Sequence, residues 1–395
     1  MFEGRFVFAQ VTVFVPWYEF DKFVAKYKGN YRAHGFNCKD QFLHLLFGQL
    51  TACSSLRDIC LCLAAHENCV YHLGFRKTVD PSTLSRANER RDYRIWEDLG
   101  YYLIGLVRPL YRKEKIDDIC VDNQLFALDS TSISISIKLA TWALGKYSKG
   151  AVKMHTLLDL RGSIPTQIFI TGGRHHDGPV LEDIDYYVNA IYTTDKAYTD
   201  FRALFRIHSF GAWFVMRPKC NMKYEVVRIL DDEGNASNIC GDCVIILTGN
   251  TTKHLYPDEL RMVRTRDPET GEIIDFITNN FELSAQDVAS INRHRWDIEV
   301  FFKWIKQNIV IKTLWGYSEN AVRTHLWVAI CTYLILARIK KELKSRYSIT
   351  EIATLVSVSA LEKHELKELL MTPQEKLLRS NQNQHVKVLQ LELFN

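Results

Sequence analysis

The stretch Arg293-His-Arg-Trp-Asp-Ile-Glu-Val-Phe-Phe-Lys-Trp-Ile-Lys-Gln307 combines aromatic, acidic and basic residues at helical spacing. Read at 3.6 residues per turn, Asn292, Arg295, Glu299, Phe302 and Lys306 form one stripe. Trp296, Val300 and Trp304 form an adjoining apolar stripe that is expected to pack on a sheet. Ser284, with Asp287 three residues on, reads as a capping-box-like start, so 284–308 is expected to be a single helix. Such a helix buries one side and offers Arg, Glu and Lys beside it. The ordinary alternative is a routine helix ion pair between Arg295 and Glu299.

Upstream, the pattern is that of strands. Leu125 to Leu128 is a short apolar run leading to Asp129, and Ile133, Ile135 and Ile137 then alternate with serines, which is period two. Ala151 to Leu160 and Ile164 to Thr171 read as strands around a turn at Asp159–Gly162. Asn189 to Thr194 leads into Asp195, Phe201 to Ser209 reads as helix, and Ala212 to Met216 as strand. Three strands, then helix, strand and helix, is the order of an RNase H-like α/β domain, although other α/β folds come close. Residues 219–282 carry further strand patterns, with turns at Asp231-Asp-Glu-Gly234 and Asp267-Pro-Glu-Thr-Gly271. They read as a β-rich insertion.

The flanks read as helical. Phe42, Leu45, Leu46 and Leu50 recur at helical spacing, and Asp80-Pro81-Ser82 is a helix start. Arg86, Arg90 and Arg94 sit four apart and are expected to share a helix face suited to DNA phosphates, with a solvated face as the alternative, since Glu89, Asp92, Glu97 and Asp98 are interspersed. Ala321 to Leu343 reads as a long buried helix with a basic end, and 350–376 as helical; the tail from Asn381 is polar at first. The expected organisation is a helical domain over 1–110, an α/β domain over 120–345, and a helical segment and tail over 346–395.

Composition sets wide bounds. A chain of 395 residues, 47% hydrophobic and 24% charged, is globular and long enough for two or three domains. The longest apolar run, Leu326 to Ala337, is too short for a bilayer, and no signal peptide is read, so a cytoplasmic protein without a membrane partner is expected. Ten scattered cysteines suggest reduced thiols, and Cys240-Gly-Asp-Cys243 lacks a second pair, so no zinc site is expected. A net charge of +4 permits nucleic acid binding without demanding it.

Asp129 and Asp195 both stand at the exits of hydrophobic segments, where open α/β sheets often carry their sites. With Glu299 they make three carboxylates, the donor set that two hard divalent ions require. Arg295 and Lys306 would suit an arriving phosphate. Acids at strand ends also cap helices, so the residues alone leave both readings open.

The spacing of Asn292, Arg295, Glu299 and Lys306 resembles the signature of IS4-type bacterial transposases, in which Tyr, Arg, Glu and Lys are separated by two, three and six residues. Asn292 departs from it by replacing the tyrosine. Leu128-Asp129-Ser130-Thr131 and Thr194-Asp195-Lys196-Ala197-Tyr198 resemble the family's two aspartate motifs, with Lys196 where arginine is commoner. Phe8-Ala-Gln10, Ser55-Leu-Arg-Asp58 and Ser82-Thr-Leu-Ser85 resemble the extra N-terminal DNA-binding region of one branch. The likeness spans roughly residues 5–345. It implies an RNase H-like DDE catalytic domain using Asp129, Asp195 and Glu299 as catalytic metal ligands for two Mg²⁺ or Mn²⁺ ions. It also implies Arg295, Lys303, Lys306 and Tyr198 near the DNA phosphate, and double-stranded DNA partners: transposon inverted repeats and target DNA. The expected reaction is hydrolysis at the element ends, then strand transfer by the freed 3′-hydroxyl, in a homodimer formed on DNA. The competing readings are a nuclease that cuts without joining, a transposase-derived DNA-binding protein without catalysis, and a two-metal phosphatase for small substrates.

Overall fold

The computed structural model describes residues 4–33, 35–135, 150–173, 179–231, 238–267, 270–308 and 314–379. Ile137, residues 232–234 and 268–269 of the expected turns, and the tail from Asn381 lie outside the described residues. The chain divides into two compact units, one of residues 1–110 with 304–395 and the other of residues 111–303.

The first unit is helical. Its N-terminal part holds α1 (Val7–Val11), α2 (Trp17–Lys26), α3 (Cys38–Leu50), α4 (Leu56–Ala65), α5 (Glu67–Val70), α6 (Pro81–Arg90) and α7 (Arg94–Tyr111). Local chemistry starts these helices. Asn37 and Asp40 form a reciprocal capping box on α3, Ser55 accepts the Asp58 N–H at 3.1 Å on α4, and Pro81 opens α6. Arg86 and Arg90 lie on α6, but Arg91 is extended (φ −82°, ψ 132°) and Arg94 begins α7. The three arginines therefore do not share one helix face. Arg91, which carried no expectation, is the structural arginine: its guanidinium donates to the Asn37 carbonyl (2.9 Å), to Gln41 Oε1 (2.8 Å) and to the Phe36 carbonyl.

The second unit is built on β1 (Leu125–Ile135), β2 (Gly150–Asp159) and β3 (Ile164–Gly172), followed by α8 (Val180–Asp183), β4 (Ile191–Thr194), α9 (Phe201–Ser209) and β5 (Trp213–Met216). Then come β6 (Tyr224–Asp231), β7 (Ile239–Leu247), α10 (Thr252–Leu255), β8 (Leu260–Arg266), β9 (Ile273–Thr278), α11 (Ala285–His294) and α12 (Asp297–Asn308), whose residues from Trp304 on belong to the first unit. One nine-stranded sheet results, in the order β3-β2-β1-β4-β5-β9-β8-β7-β6. Strands β1 to β3 are antiparallel, while β4 pairs parallel with both β1 and β5. This is the RNase H-like arrangement expected from the sequence. Leu125 to Leu128 are buried throughout because β1 is flanked by strands on both edges and covered on both faces.

The β-rich insertion continues the same sheet. Its strand β9 pairs antiparallel with β5 through Val215–Thr278 and Met216–Ile277. Asn279 lengthens that short ladder: its side chain accepts the Phe214 N–H (2.9 Å) and donates to the Ala212 carbonyl (3.0 Å). A continuous apolar cluster runs from Phe126 and Tyr192 through Phe214 and Met216 to Ile245, Met262 and Ile277.

The first unit is completed by α13 (Glu319–Glu342), α14 (Ile349–Ser359) and α15 (Leu366–Leu369). Helix α13 is long and apolar enough to cross a membrane, yet it is buried inside the unit against α3, α6 and α14. It is apolar on nearly every face because it is a core helix.

Candidate active site

The parallel pairing of β1, β4 and β5 brings three strand exits level. Leu128 is opposite Thr194, and Thr194 is opposite Met216. The next residues are Asp129, Asp195 and Arg217. Strand β1 does not end at Asp129, as the apolar run suggested, but continues to Ile135 against β2. Asp129 marks the point where β1 loses its other neighbour, β4, and so faces an open edge. Each aspartate accepts the N–H of the following residue at 2.7 Å, Ser130 for Asp129 and Lys196 for Asp195.

Glu299 arrives from a broken helix rather than a single one. α11 ends at His294 and α12 starts at Asp297, with tight bonds through the junction: Arg295 N–H to the Asn292 carbonyl (3.3 Å) and Ile298 N–H to the Arg295 carbonyl (3.2 Å). Ser284 caps α11 by accepting the Asp287 N–H at 3.0 Å, and Asp287 accepts the Cys120 N–H at 3.1 Å. Asn292 is buried, with its amide 3.4 Å from Thr193 Oγ1, two residues before Asp195. An amide at this position thus ties α11 to β4.

Arg295 is the hub. Its guanidinium lies 3.5 Å from Asp129 Oδ2 and 3.3 Å from Glu299 Oε1, and its side chain is only 12% exposed. The routine i,i+4 pair with Glu299 is real, but it is half of a bridge that also holds Asp129. Burial, together with the negative charge of Asp195 and Glu299, pushes the Asp129 carboxyl up to about 6, against the Ser130 N–H and Arg295, which favour the carboxylate. All three acids therefore share one field. Among the described residues, no three His, Cys, Asp or Glu side chains are grouped closely enough to hold a metal ion as they stand. The donors are nevertheless all carboxylate oxygens with excess negative charge, which suits a hard divalent cation, and here a guanidinium supplies the countercharge.

The direction of that shift makes a prediction. The folded chain binds a proton at Asp129 more tightly than the unfolded chain does. The resulting stability is present at low pH and is lost as pH rises through about 6. In chelator, Asp129→Asn should match the parent near pH 4 and exceed its unfolding free energy by about 2–3 kcal/mol above pH 6. Urea titrations across this range would refute the assignment if the two proteins kept a constant difference.

Other expected site residues are distributed differently. Tyr198 is 2% exposed and belongs to the apolar cluster, so its ring is a core element and not a surface for phosphate. Trp296 and Val300 are 59% and 65% exposed, which corrects two members of the expected apolar stripe, while its third, Trp304, is buried together with Ile298, Phe301, Phe302 and Ile305. Lys303 and Lys306 are exposed on α12. Arg86 and Arg90 are exposed, whereas Arg94 is engaged with Asp92 (2.6 Å) and stacks 4.9 Å over Tyr27. Arg217 was missed, although it follows the apolar run Phe214-Val215-Met216 just as Asp129 follows Leu125 to Leu128 and Asp195 follows Ile191 to Thr194.

Residues 3–76 match a domain of unknown function, DUF4372, and residues 121–335 match the transposase DDE domain. A Sinorhizobium fredii protein named as a transposase is 30% identical over 256 residues, 64% of this chain and 69% of that one. A Geobacillus stearothermophilus protein named as the transposase of insertion sequence element IS5377 is 27% identical over 68% of this chain and 70% of its own length. A Synechocystis protein named as the transposase of element IS4SA is 28% identical over 66% and 72%. Among solved structures, a piggyBac transposase synaptic complex with hairpin DNA covers 94% of this chain and 83% of its own at 12% identity, with a TM-score of 0.45. On the DDE-domain match, which spans more than half of its residues, the chain belongs to the IS4-type DDE transposase family, with an N-terminal accessory domain.

Proposed function

We propose that the protein cleaves the ends of its insertion sequence by divalent-metal-dependent phosphodiester hydrolysis and joins them to target DNA by attack of the 3′-hydroxyl. The observation that carries this reading is that Asp129 and Asp195 follow paired positions of the adjacent parallel strands β1 and β4, and that Arg295 bridges Asp129 to Glu299. Asp129, Asp195 and Glu299 would hold Mg²⁺ or Mn²⁺, two ions in the full site. Such ions activate a water or hydroxyl and neutralise charge on the leaving oxygen. Arg295 holds Asp129 and Glu299 together against their mutual repulsion and, with Lys303 and Lys306, offers positive charge to the phosphate. Asn292 fixes α11 to β4, so the helix pair that carries Glu299 keeps its place beside Asp195. Double-stranded DNA is the partner, contacted also by the helical N-terminal region through the exposed Arg86 and Arg90 of α6, with two copies acting on the paired ends.

The experiment uses a duplex bearing the terminal inverted repeats that flank the gene, together with a supercoiled target. Cleavage and joined products should require added Mg²⁺ or Mn²⁺ and vanish in excess chelator, because the donors are carboxylates. Full cleavage in chelator would overturn the reading. Cleaved ends that never join to target would reduce the enzyme to a nuclease.

A further inference from the structure

The α11–α12 break that delivers Arg295 and Glu299 is not set by an α-helical ladder. The Arg295 and Trp296 N–H groups bond back three residues, to the Asn292 and Arg293 carbonyls (3.3 and 3.1 Å). Those of Ile298 and Glu299 do the same to Arg295 and Trp296 (3.2 and 2.9 Å). Three-residue turns have poorer hydrogen-bond geometry than an α-helix and hold the angle between two helices loosely. A contact from outside the ladder is needed to fix that angle, because Arg295 must reach Asp129 and Glu299 at once.

His294, the last residue of α11, supplies one. Its Nε2 lies 2.9 Å from the Asp117 carbonyl, and its Nδ1 lies 3.3 Å from Oδ2 of Asp297, the first residue of α12. A carbonyl only accepts, so Nε2 carries a proton and donates. The ring is thus tied across the break on one side and to the chain ahead of β1 on the other. That chain is well supported. Asp118 is in the left-handed region (φ 61°), and the Ile119 N–H returns to the Ile116 carbonyl at 3.4 Å, closing a turn around Asp117. Arg161, from the turn between β2 and β3, donates to the Val121 and Asn123 carbonyls (3.2 and 3.0 Å). Asp287 of α11 accepts the Cys120 N–H at 3.1 Å, and Arg293 lies 3.9 Å from Asp118 Oδ2. All of these residues belong to the second unit.

We propose that His294 is a positioning residue: it clamps the α11–α12 break to the segment 117–120, and so sets where Arg295 and Glu299 stand relative to Asp129. The clamped segment runs into β1, which carries Asp129, so one imidazole couples the two arms of the carboxylate site. The effect on catalysis rests on the transposase reading, whereas the clamp does not.

The test compares His294→Ala, His294→Gln and His294→Asn in the full chain. A glutamine amide nitrogen can stand where Nε2 stands and donate to the Asp117 carbonyl, while the shorter asparagine amide stands near Nδ1. The first measurement is amide hydrogen exchange in chelator and without DNA. Peptides spanning 292–303 should exchange about five- to tenfold faster in His294→Ala, the scale of one lost hydrogen bond. Glutamine should bring them back to within about twofold of the parent, and asparagine should not. Unchanged exchange in His294→Ala, or rescue by asparagine and not by glutamine, would overturn the proposal. The second measurement is single-turnover cleavage, with saturating Mg²⁺, of a duplex carrying the terminal inverted repeat. The maximal rate should fall at least about tenfold in His294→Ala, because small displacements of a reacting group are that costly, with the half-saturating protein concentration kept within about twofold. Glutamine should restore most of the rate. A loosened junction that cuts at the parental rate would overturn the positioning role. If the parent itself does not cut the element end, the transposase reading falls, and the exchange comparison still decides the clamp.

Discussion

Asp129→Ala, Asp195→Ala and Glu299→Ala are each expected to abolish end cleavage while leaving end binding nearly intact. The loss in rate should be about 10²–10³-fold or more, the scale on which single preorganised electrostatic groups act at a reacting centre. Binding should survive because none of the three acids is assigned to holding DNA, and removing a negative charge beside a phosphate could only favour it. Glu299 is the most informative of the three. Its side chain is 41% exposed and, among the described residues, its ion pair is the 3.3 Å contact with Arg295, so as a purely structural residue it would be worth under about 1 kcal/mol. Band-shift and cleavage assays on the same preparations, with urea midpoints, separate the outcomes. A folded Glu299→Ala protein that cuts at the normal rate would defeat the site assignment. Arg295→Ala should behave differently, losing both rate and affinity, since it removes positive charge and releases Asp129 as well as Glu299.

The second large effect is on stability. Arg261 and Asp242 are 7% and 6% exposed and form a two-pronged ion pair across β7 and β8, with Nε to Oδ1 at 2.9 Å and Nη2 to Oδ2 at 2.5 Å. The third guanidinium contact, Nη1 to the Leu283 carbonyl at 2.5 Å, reaches the residue before the α11 cap. Arg261→Met would leave Asp242 as an uncompensated buried carboxylate, and a loss of about 3–5 kcal/mol is expected. Arg261→Lys should recover only part of this, because an ammonium cannot make the planar bidentate contact and reach Leu283 as well. Equilibrium urea unfolding at neutral pH measures both, and a cost below about 1 kcal/mol for Arg261→Met would show the pair to be dispensable. Because Leu283 precedes the helix pair that carries Arg295 and Glu299, this contact also links the insertion to the site. A variant that stays folded should therefore lose activity more steeply than stability.

Much of the site was legible because its signals are local. Leu125 to Leu128 is an uninterrupted apolar run, and a strand buried on both faces needs one, so the acid after it stood out. The same holds for Ile191 to Thr194 before Asp195. The 292–306 spacing was readable because helix periodicity is a property of neighbouring residues. The break at Arg295 was hidden: no glycine or proline marks it, and the tight bonds across it keep nearly helical spacing. The arginine stripe misled for a related reason. Arg86, Arg90 and Arg94 have perfect i,i+4 spacing, but Arg91 is drawn out of the helix to bind the Asn37 and Phe36 carbonyls, partners about 50 residues away.

By itself, then, the sequence determined the order of strands and helices, the RNase H-like class, the family and the three candidate acids. These depend on periodicity, strand exits and short motifs, all of which act over a few residues. Only the tertiary structure decided that Arg295 bridges Asp129 to Glu299 and that Tyr198 is core while Trp296 is exposed. Tertiary structure also decided that the insertion extends the central sheet through β5 and β9, and that Arg217 stands beside the aspartates. Those outcomes depend on which strands become neighbours and in what register. That choice is made by long-range burial of apolar faces, and residues distant along the chain carry no local mark of the partner they will meet.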